Sequence, residues 1–102
     1  GCPAAMRVIT LPVRKVDGPE EDYVFDGRPI QECVRAICKG YKVRYDEEDN
    51  YHVLVAGSGA TAPVICTQAQ LLEVHERGSA SLILMRGSEL VQARLKLLQE
   101  EG

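Results

Sequence analysis

The sequence lacks long apolar runs and an excess of basic residues, and both shortages narrow its possible functions. None of its hydrophobic stretches approaches the roughly 18 consecutive apolar residues that a membrane-spanning helix needs, and no signal-peptide pattern opens the chain. Its 12 lysines and arginines are outnumbered by 15 aspartates and glutamates, which gives a net charge of −3. Because nucleic acids are bound by clustered basic side chains, we expect no nucleic-acid partner. The short apolar runs and the absence of a signal-peptide pattern lead us to expect no membrane span and a cytoplasmic location.

The cysteine pattern lacks the paired spacing of a zinc site. Among the four cysteines of the chain, Cys33 and Cys38 have a C-x4-C spacing, which places them about 140° apart on a helix. No second pair follows to complete a tetrahedral site. A reducing compartment also keeps thiols free. We therefore interpret Cys33, Cys38 and Cys66 as small core residues, with neither a metal nor a disulfide.

The sequence also lacks the motifs that carry catalysis or hold a cofactor. His52 and His75 stand in no pattern with a nucleophile, and no serine lies in a G-x-S-x-G turn. Residues 46–50 are acidic but lack the glycine and closing glutamate of a calcium-binding loop, so a solvated hairpin loop is the better interpretation. Residues 57–59 lack the remainder of a phosphate-binding loop. We expect no enzyme activity, no catalytic residue, no metal and no cofactor.

What the chain does contain is one strongly patterned helix. Between residues 28 and 41, apolar side chains recur at the three- and four-residue spacing of a single helix face. These residues are Ile30, Cys33, Val34, Ile37, Cys38 and Tyr41. Pro29 suits the first helical position, and Gly40 can take the left-handed conformation that closes a last turn. The pattern predicts a helix with one apolar side and one solvent-exposed side.

The remaining segments alternate strand and helix signals around this helix. The runs that predict strands are residues 6–15, 23–25, 51–56, 63–66 and 81–86. The first two should pair as an antiparallel hairpin across the turn at residues 17–19, and Pro12 requires a free edge or a bulge. The last strand is the most hydrophobic, as a central strand is.

Two further helices complete the prediction. A T-x-x-Q capping box at residues 67–70 opens a short helix that ends at Gly78, and an apolar stripe between Leu90 and Leu98 predicts a final helix. The order of elements is that of the ubiquitin-like β-grasp. We expect an α+β fold in which a mixed sheet covers one main helix, with an extra C-terminal helix.

The length of 102 residues fits one domain. We expect residues 1–5 to be a remnant or a flexible lead, and residues 6–87 to form the ubiquitin-like domain. Residues 88–102 should form the C-terminal helix, as the start of a truncated helical-repeat region.

The helix at residues 28–41 resembles the corresponding helix in the N-terminal ubiquitin-like Ras-binding domain of the engulfment-and-cell-motility (ELMO) family. That helix opens with a basic residue, a proline and an aliphatic residue, and it closes with Cys-x-Gly-aromatic. The resemblance continues at residues 51–54, 65–67, 81–84 and 90–95. The GTPase-binding domain of the FHOD formin is similar as well, but less closely.

The resemblance implies a non-catalytic module that binds an active Rho- or Arf-type small GTPase within a cytoskeletal or engulfment regulator. A DOCK-type exchange factor would bind the rest of such a protein. The implied surface is the second strand with the start of the main helix, and the matching residues are Arg14, Lys15, Tyr23, Arg28, Gln31 and Arg35. Acidic residues 20–22 precede that strand and would repel an acidic switch loop. The alternative function is a ubiquitin-like scaffold for intramolecular packing or oligomerisation.

Overall fold

A computed structural model describes residues 8–15, 18–57, 61–78 and 80–101 of the chain. Its elements are β1 (Ile9–Lys15), β2 (Glu20–Phe25), α1 (Ile30–Gly40), a 3-10 helix (Tyr45–Asn50), β3 (Tyr51–Val55), α2 (Gln68–Glu76), β4 (Leu82–Arg86) and α3 (Gly87–Glu101). The predicted α+β class is therefore confirmed. No helix in these ranges is both long and apolar enough to cross a membrane.

Some expectations lie outside the described residues. They concern the lead at residues 1–5, the first two residues of the predicted strand at 6–15, position 17 of the predicted hairpin turn, positions 58–60 of the predicted turn before the next strand, and Gly102.

Within the described ranges the sheet is four-stranded and mixed, with the order β2-β1-β4-β3. β1 and β2 form the predicted antiparallel hairpin, with a register from Ile9 opposite Phe25 to Arg14 opposite Glu20. β4 pairs parallel with β1 and antiparallel with β3. β4 is therefore internal, as its hydrophobicity predicts, and β2 forms one edge of the sheet.

The hairpin extends further than the sequence pattern indicates. The pattern places the start of the second strand at Tyr23, but β2 begins at Glu20. Acidic residues have low strand propensity, yet the ladder with β1 continues through all of them. Pro12 is accommodated as predicted, because the described pairing of β1 with β4 starts only at Val13.

The main core lies between α1 and one face of the sheet. The buried residues of α1 are those of its predicted apolar side, Ile30, Cys33, Val34, Ile37 and Cys38. They share one cluster with Leu11 and Val13 of β1 and with Leu71 of α2. Because each fully buried aliphatic side chain contributes about 1.5–3 kcal/mol, this cluster is the principal source of stability. Cys66 departs from the prediction, because it is exposed.

A second, smaller cluster covers part of the opposite sheet face. Leu54 of β3, Ala62 and Leu90 of α3 are buried together there. The sheet is thus covered on both faces at β3 and β4. The predicted fold, in which a mixed sheet covers one main helix, did not include this contact between α3 and the sheet.

The reason for a glycine at position 40 differs from the prediction. Gly40 is the last residue of α1, and the left-handed conformation after this helix belongs to Lys42, with φ of 60°. A Cβ at Gly40 would instead lie 3.0 Å from Cε1 of the Tyr23 ring. Close approach between α1 and β2 therefore requires the glycine.

One loop prediction and one strand prediction were wrong. The acidic run at residues 46–50 belongs to the 3-10 helix, in which Glu48 is buried, so it is not a solvated hairpin loop. Residues 63–66 form no full strand, only a single bridge from Val64 to Leu54. α2 confirms its prediction, because Thr67 and Gln70 form the capping box.

Candidate partner-binding surface

The outer edge of β2 presents an unpaired strand. β2 has β1 on one side, and no strand among the described residues lies on the other. Alternate backbone N–H and C=O groups of an edge strand point away from its sheet and can pair with another chain. The side chains of Glu20, Glu21, Asp22 and Val24 are exposed along this edge. We call the outer side of residues 20–25 the β2 edge.

The two tyrosines beside this edge fix its position. The Tyr41 hydroxyl oxygen lies 2.7 Å from the carbonyl oxygen of Val13 and 2.8 Å from that of Pro19, so its one proton is shared between these two acceptors. The Tyr23 ring lies 5.7 Å from the Tyr41 ring. These contacts tie the end of α1 to both strands of the hairpin, so the start of β2 is held by side chains as well as by the backbone ladder.

Tyr23 also contacts the acidic part of the edge. Its hydroxyl donates to Oε2 of Glu21 at 3.1 Å. Burial and, after it, the neighbouring Glu21 carboxylate raise the pKa of Tyr23 to about 12. The phenol therefore remains a neutral hydrogen-bond donor throughout the physiological pH range.

Two arginines expose their guanidinium groups beside α1. Arg28 Nε lies 2.8 Å from Asp26 Oδ1, and Arg35 Nε lies 2.7 Å from Asp49 Oδ1. The hydrogen bond from Arg28 lowers the pKa of the Asp26 carboxyl. The Arg28 and Arg35 side chains remain 50% and 45% exposed. Exposed ion pairs contribute little to stability, so a partner carboxylate can compete for both arginines.

Gln31 lies between these arginines in sequence, on the second position of α1. Its side chain is half-buried, and its amide nitrogen Nε2 is buried without a hydrogen-bond partner. Gln31 and Arg35 have the four-residue spacing that places residues along one side of a helix, whereas Arg28 precedes the helix, which begins at Ile30. Gln31 and Arg35 therefore share one side of α1, and Arg28 lies just before its first turn; we call these three residues the α1 basic face.

The structure separates the other predicted residues from that face. Arg14 lies opposite Glu20 and follows the buried Val13, so it belongs to the sheet face turned away from α1. Lys15 ends β1, and Tyr23 lies in β2 near the C-terminal end of α1. The six residues thus form no single patch.

The sequence patterns do not indicate the carboxylates that pair with the arginines. Asp26 is only two residues from Arg28, and this short separation could have indicated the pair. Asp49 meets Arg35 only because the 3-10 helix packs beside α1, and no local pattern signals that contact.

A separate polar cavity of about 370 Å³ lies at the junction of the 3-10 helix, β3 and the start of α3. Arg86 donates to Glu47 there at 2.7 Å and lies 5.6 Å from the Tyr51 ring centre. Over the described ranges, no group of three or more His, Cys, Asp or Glu side chains could hold a metal ion.

Beyond Leu90, α3 carries an apolar stripe that the described part of the domain leaves open. Val91, Leu95 and Leu98 are 54%, 49% and 64% exposed, and their spacing places them along one side of the helix. Arg94 of the same helix donates to the carbonyl oxygen of Ala62 at 3.0 Å. The helix is therefore attached on one side and apolar on another.

No protein-family model matches the sequence, and no curated protein matches it either. A solved structure from Dictyostelium discoideum, the MyTH4-FERM MF2 domain of myosin VII, is similar to this chain with a TM-score of 0.53. The sequence identity is 12%, and the match covers 78% of this chain and 18% of that chain. At such identity the likeness concerns the fold alone. It suggests a ubiquitin-like fold and does not confirm the ELMO family.

Proposed function

We propose that this chain is a ubiquitin-like β-grasp domain that binds an active small GTPase of the Rho or Arf type and has no catalytic activity. The sheet order, with parallel β1 and β4 at the centre, supports the β-grasp, and the FERM-like neighbour is compatible with it. The observation that carries the binding proposal is the β2 edge, an exposed strand with no described partner on its outer side.

A GTPase can use this edge by adding a strand to the sheet. Main-chain hydrogen bonds then supply affinity, and the side chains on either face supply specificity. Phe25, the last residue of β2, is only a few residues before Arg28 and α1. A partner strand on the β2 edge therefore ends close to the α1 basic face.

The α1 basic face complements the acidic switch region of a GTPase. Within the described residues, Arg28 and Arg35 form ion pairs with the exposed carboxylates of Asp26 and Asp49. A partner carboxylate can replace either of them without leaving a buried charge unpaired. Such exchangeable pairs suit a reversible interaction in which charge contributes to specificity and association rate.

The resemblance to the ELMO family extends the proposal to the parent protein. A domain of this kind belongs in a cytoskeletal or engulfment regulator of the ELMO type, in which a DOCK-type exchange factor binds elsewhere.

Nucleotide dependence tests this function. The 102-residue chain is titrated by calorimetry with Rho- and Arf-type GTPases, each loaded with GDP or with a non-hydrolysable GTP analogue. The proposal expects at least one GTPase to bind about tenfold or more tightly in its GTP form, the ratio equivalent to 1.4 kcal/mol. Absent binding, or equal binding in both nucleotide states, contradicts the proposal.

A second candidate function is a scaffold for packing or oligomerisation, and the exposed α3 stripe favours it. Light scattering tests it with the variant Leu95→Glu plus Leu98→Glu. The control is Lys96→Glu, which changes the net charge by the same amount at an exposed position on the other side of α3. Association of the wild type that only the first variant removes supports the scaffold, and a monomer at all concentrations contradicts it.

A further inference from the structure

The acidic side chains of the β2 edge lie on defined sheet faces. Glu20, Asp22 and Val24 lie opposite Arg14, Pro12 and Thr10 of β1. Residues directly opposite each other share a face, and these β1 residues alternate with the buried ones. Glu20, Asp22 and Val24 therefore lie on the sheet face turned away from α1.

The carboxylates on this face have no ion-pair partner within the described chain. The ion pairs there involve Asp26, Asp49, Asp46 and Glu47, and β2 itself contains no lysine or arginine. Arg14 is the cross-strand neighbour of Glu20, but Asp22 has Pro12 opposite. The exposed negative charges of Glu20 and Asp22 therefore lie on the face of β2 that is turned away from α1.

A strand added to the β2 edge places one residue directly beside each of these side chains. The Cβ atoms of such cross-strand neighbours are about 5 Å apart, opposite charges attract and like charges repel. An acidic segment is thus disfavoured along residues 20–22, whereas lysine or arginine at alternate positions is favoured. An apolar residue suits the position beside Val24, whose side chain is 54% exposed.

We propose that the GTPase segment that pairs with β2 is antiparallel to it and has an apolar-x-basic-x-basic pattern, with its basic residues beside Asp22 and Glu20. This inference rests on the proposed function and specifies the partner chemistry of the same surface. The segment is basic along β2, and the acidic switch region contacts the α1 basic face beyond Phe25. The acidic start of β2 thereby selects its partner and need not oppose GTPase binding.

Synthetic peptides test the chemistry of the edge on the whole chain. The probe is Thr-Val-Thr-Lys-Thr-Lys-Thr with blocked ends, and its counterpart carries glutamate in place of lysine. A third peptide has the lysine sequence with N-methylated backbone amides, which cannot donate to a strand ladder. Binding is followed by the amide NMR shifts of residues 20–25 at low salt.

The inference predicts about tenfold tighter binding of the lysine peptide than of the glutamate peptide, since two cross-strand charge pairs change sign. The variant Glu20→Lys plus Asp22→Lys should reverse this preference. The control variant Glu73→Lys plus Glu76→Lys changes the net charge equally on α2 and should retain it. The methylated peptide should not shift residues 20–25.

Equal binding of the lysine and glutamate peptides, or shifts that avoid residues 20–25, overturns the inference. In that case Glu20 and Asp22 serve only to discourage unwanted strand pairing. The GTPase titration separates the two proposals. A GTPase that binds the Glu20→Lys plus Asp22→Lys variant undiminished refutes this inference alone. Lysine-peptide binding at β2 without binding of any GTPase supports the edge chemistry and refutes the proposed function.

Discussion

At Gly40, the absence of a side chain allows α1 to pass close to the Tyr23 ring. An added Cβ would lie 3.0 Å from Cε1 and 3.1 Å from Cζ of that ring. We expect Gly40→Ala to lower the free energy of unfolding by about 1–3 kcal/mol through overpacking, although alanine has the higher helix propensity, by about 1 kcal/mol. Urea denaturation measures the change.

A double-mutant cycle tests whether this loss of stability comes from the contact between residue 40 and the Tyr23 side chain. Tyr23→Phe removes the hydroxyl oxygen, the atom nearest to the added Cβ. The double variant should therefore lose less stability than the sum of the two single changes. If Gly40→Ala instead stabilised the protein, the helix propensity of alanine would outweigh the overpacking against Tyr23.

The raised pKa of Tyr23 also predicts that the stability of the fold decreases at alkaline pH. Burial and the neighbouring Glu21 raise the pKa of Tyr23 from 10.0 to about 12, so the folded chain holds the phenol proton more tightly than the unfolded chain does. The stability linked to this proton is complete below pH 10 and is lost as the pH rises towards 12.

Urea unfolding between pH 9 and 12 should therefore show a shallower decline for Tyr23→Phe than for the wild type, by the same linkage argument. The Tyr45→Phe variant is the control, because the Tyr45 side chain is 87% exposed. Parallel curves for the wild type and Tyr23→Phe would contradict the assigned pKa.

Among the elements, α2 depends on its N-terminal cap. The Thr67 side chain accepts a hydrogen bond from the Gln70 backbone N–H, and the Gln70 side chain accepts one from Thr67 N–H. We expect Thr67→Ala to lower the free energy of unfolding by about 1 kcal/mol, whereas Thr67→Ser keeps the cap. Thermal denaturation compares the two, and equal stability of all three proteins would exclude a role for the cap.

α3 is attached to the sheet at its first turns. Leu90 is buried beside Leu54 and Ala62, whereas the Leu98 side chain is 64% exposed. Leu90→Ala should therefore reduce the free energy of unfolding by about 2–5 kcal/mol. The same change at Leu98 should alter it by about 0.5 kcal/mol or less. Similar losses at both positions in urea denaturation would mean that the whole helix is buried.

For the molecule as a whole, the sequence best predicts the elements that local periodicity determines. The apolar spacing of α1 and the capping box of α2 are set by residues within a few positions of each other, so both elements could be predicted. The full length of β2 could not, because its acidic residues become a strand only through their ladder with β1.

The candidate surface was predicted less completely than the fold, for the same physical reason. Gln31 and Arg35 share one side of α1, and sequence spacing alone groups them, whereas Arg28 precedes the helix. Arg14 lies on the other sheet face, and Asp49 meets Arg35 through the 3-10 helix. Sheet faces and contacts between separate elements depend on tertiary packing, which no short pattern contains.

Recognition of a GTPase through the α1 basic face is the central claim. The test of this claim compares two variants whose net charge changes by the same amount, since net charge alone alters association. The test variant is Arg28→Glu plus Arg35→Glu. The control is Arg44→Glu plus Arg77→Glu, at two exposed arginines outside the proposed surface.

The decisive measurement is the calorimetric Kd of these two variants and the wild type for a Rho- or Arf-type GTPase loaded with a GTP analogue. We predict that the test variant binds at least about tenfold more weakly, because two charge contacts become repulsive, while the control stays within about threefold of the wild type. Undiminished binding by the test variant, or an equal loss in both variants, would contradict the proposed recognition surface.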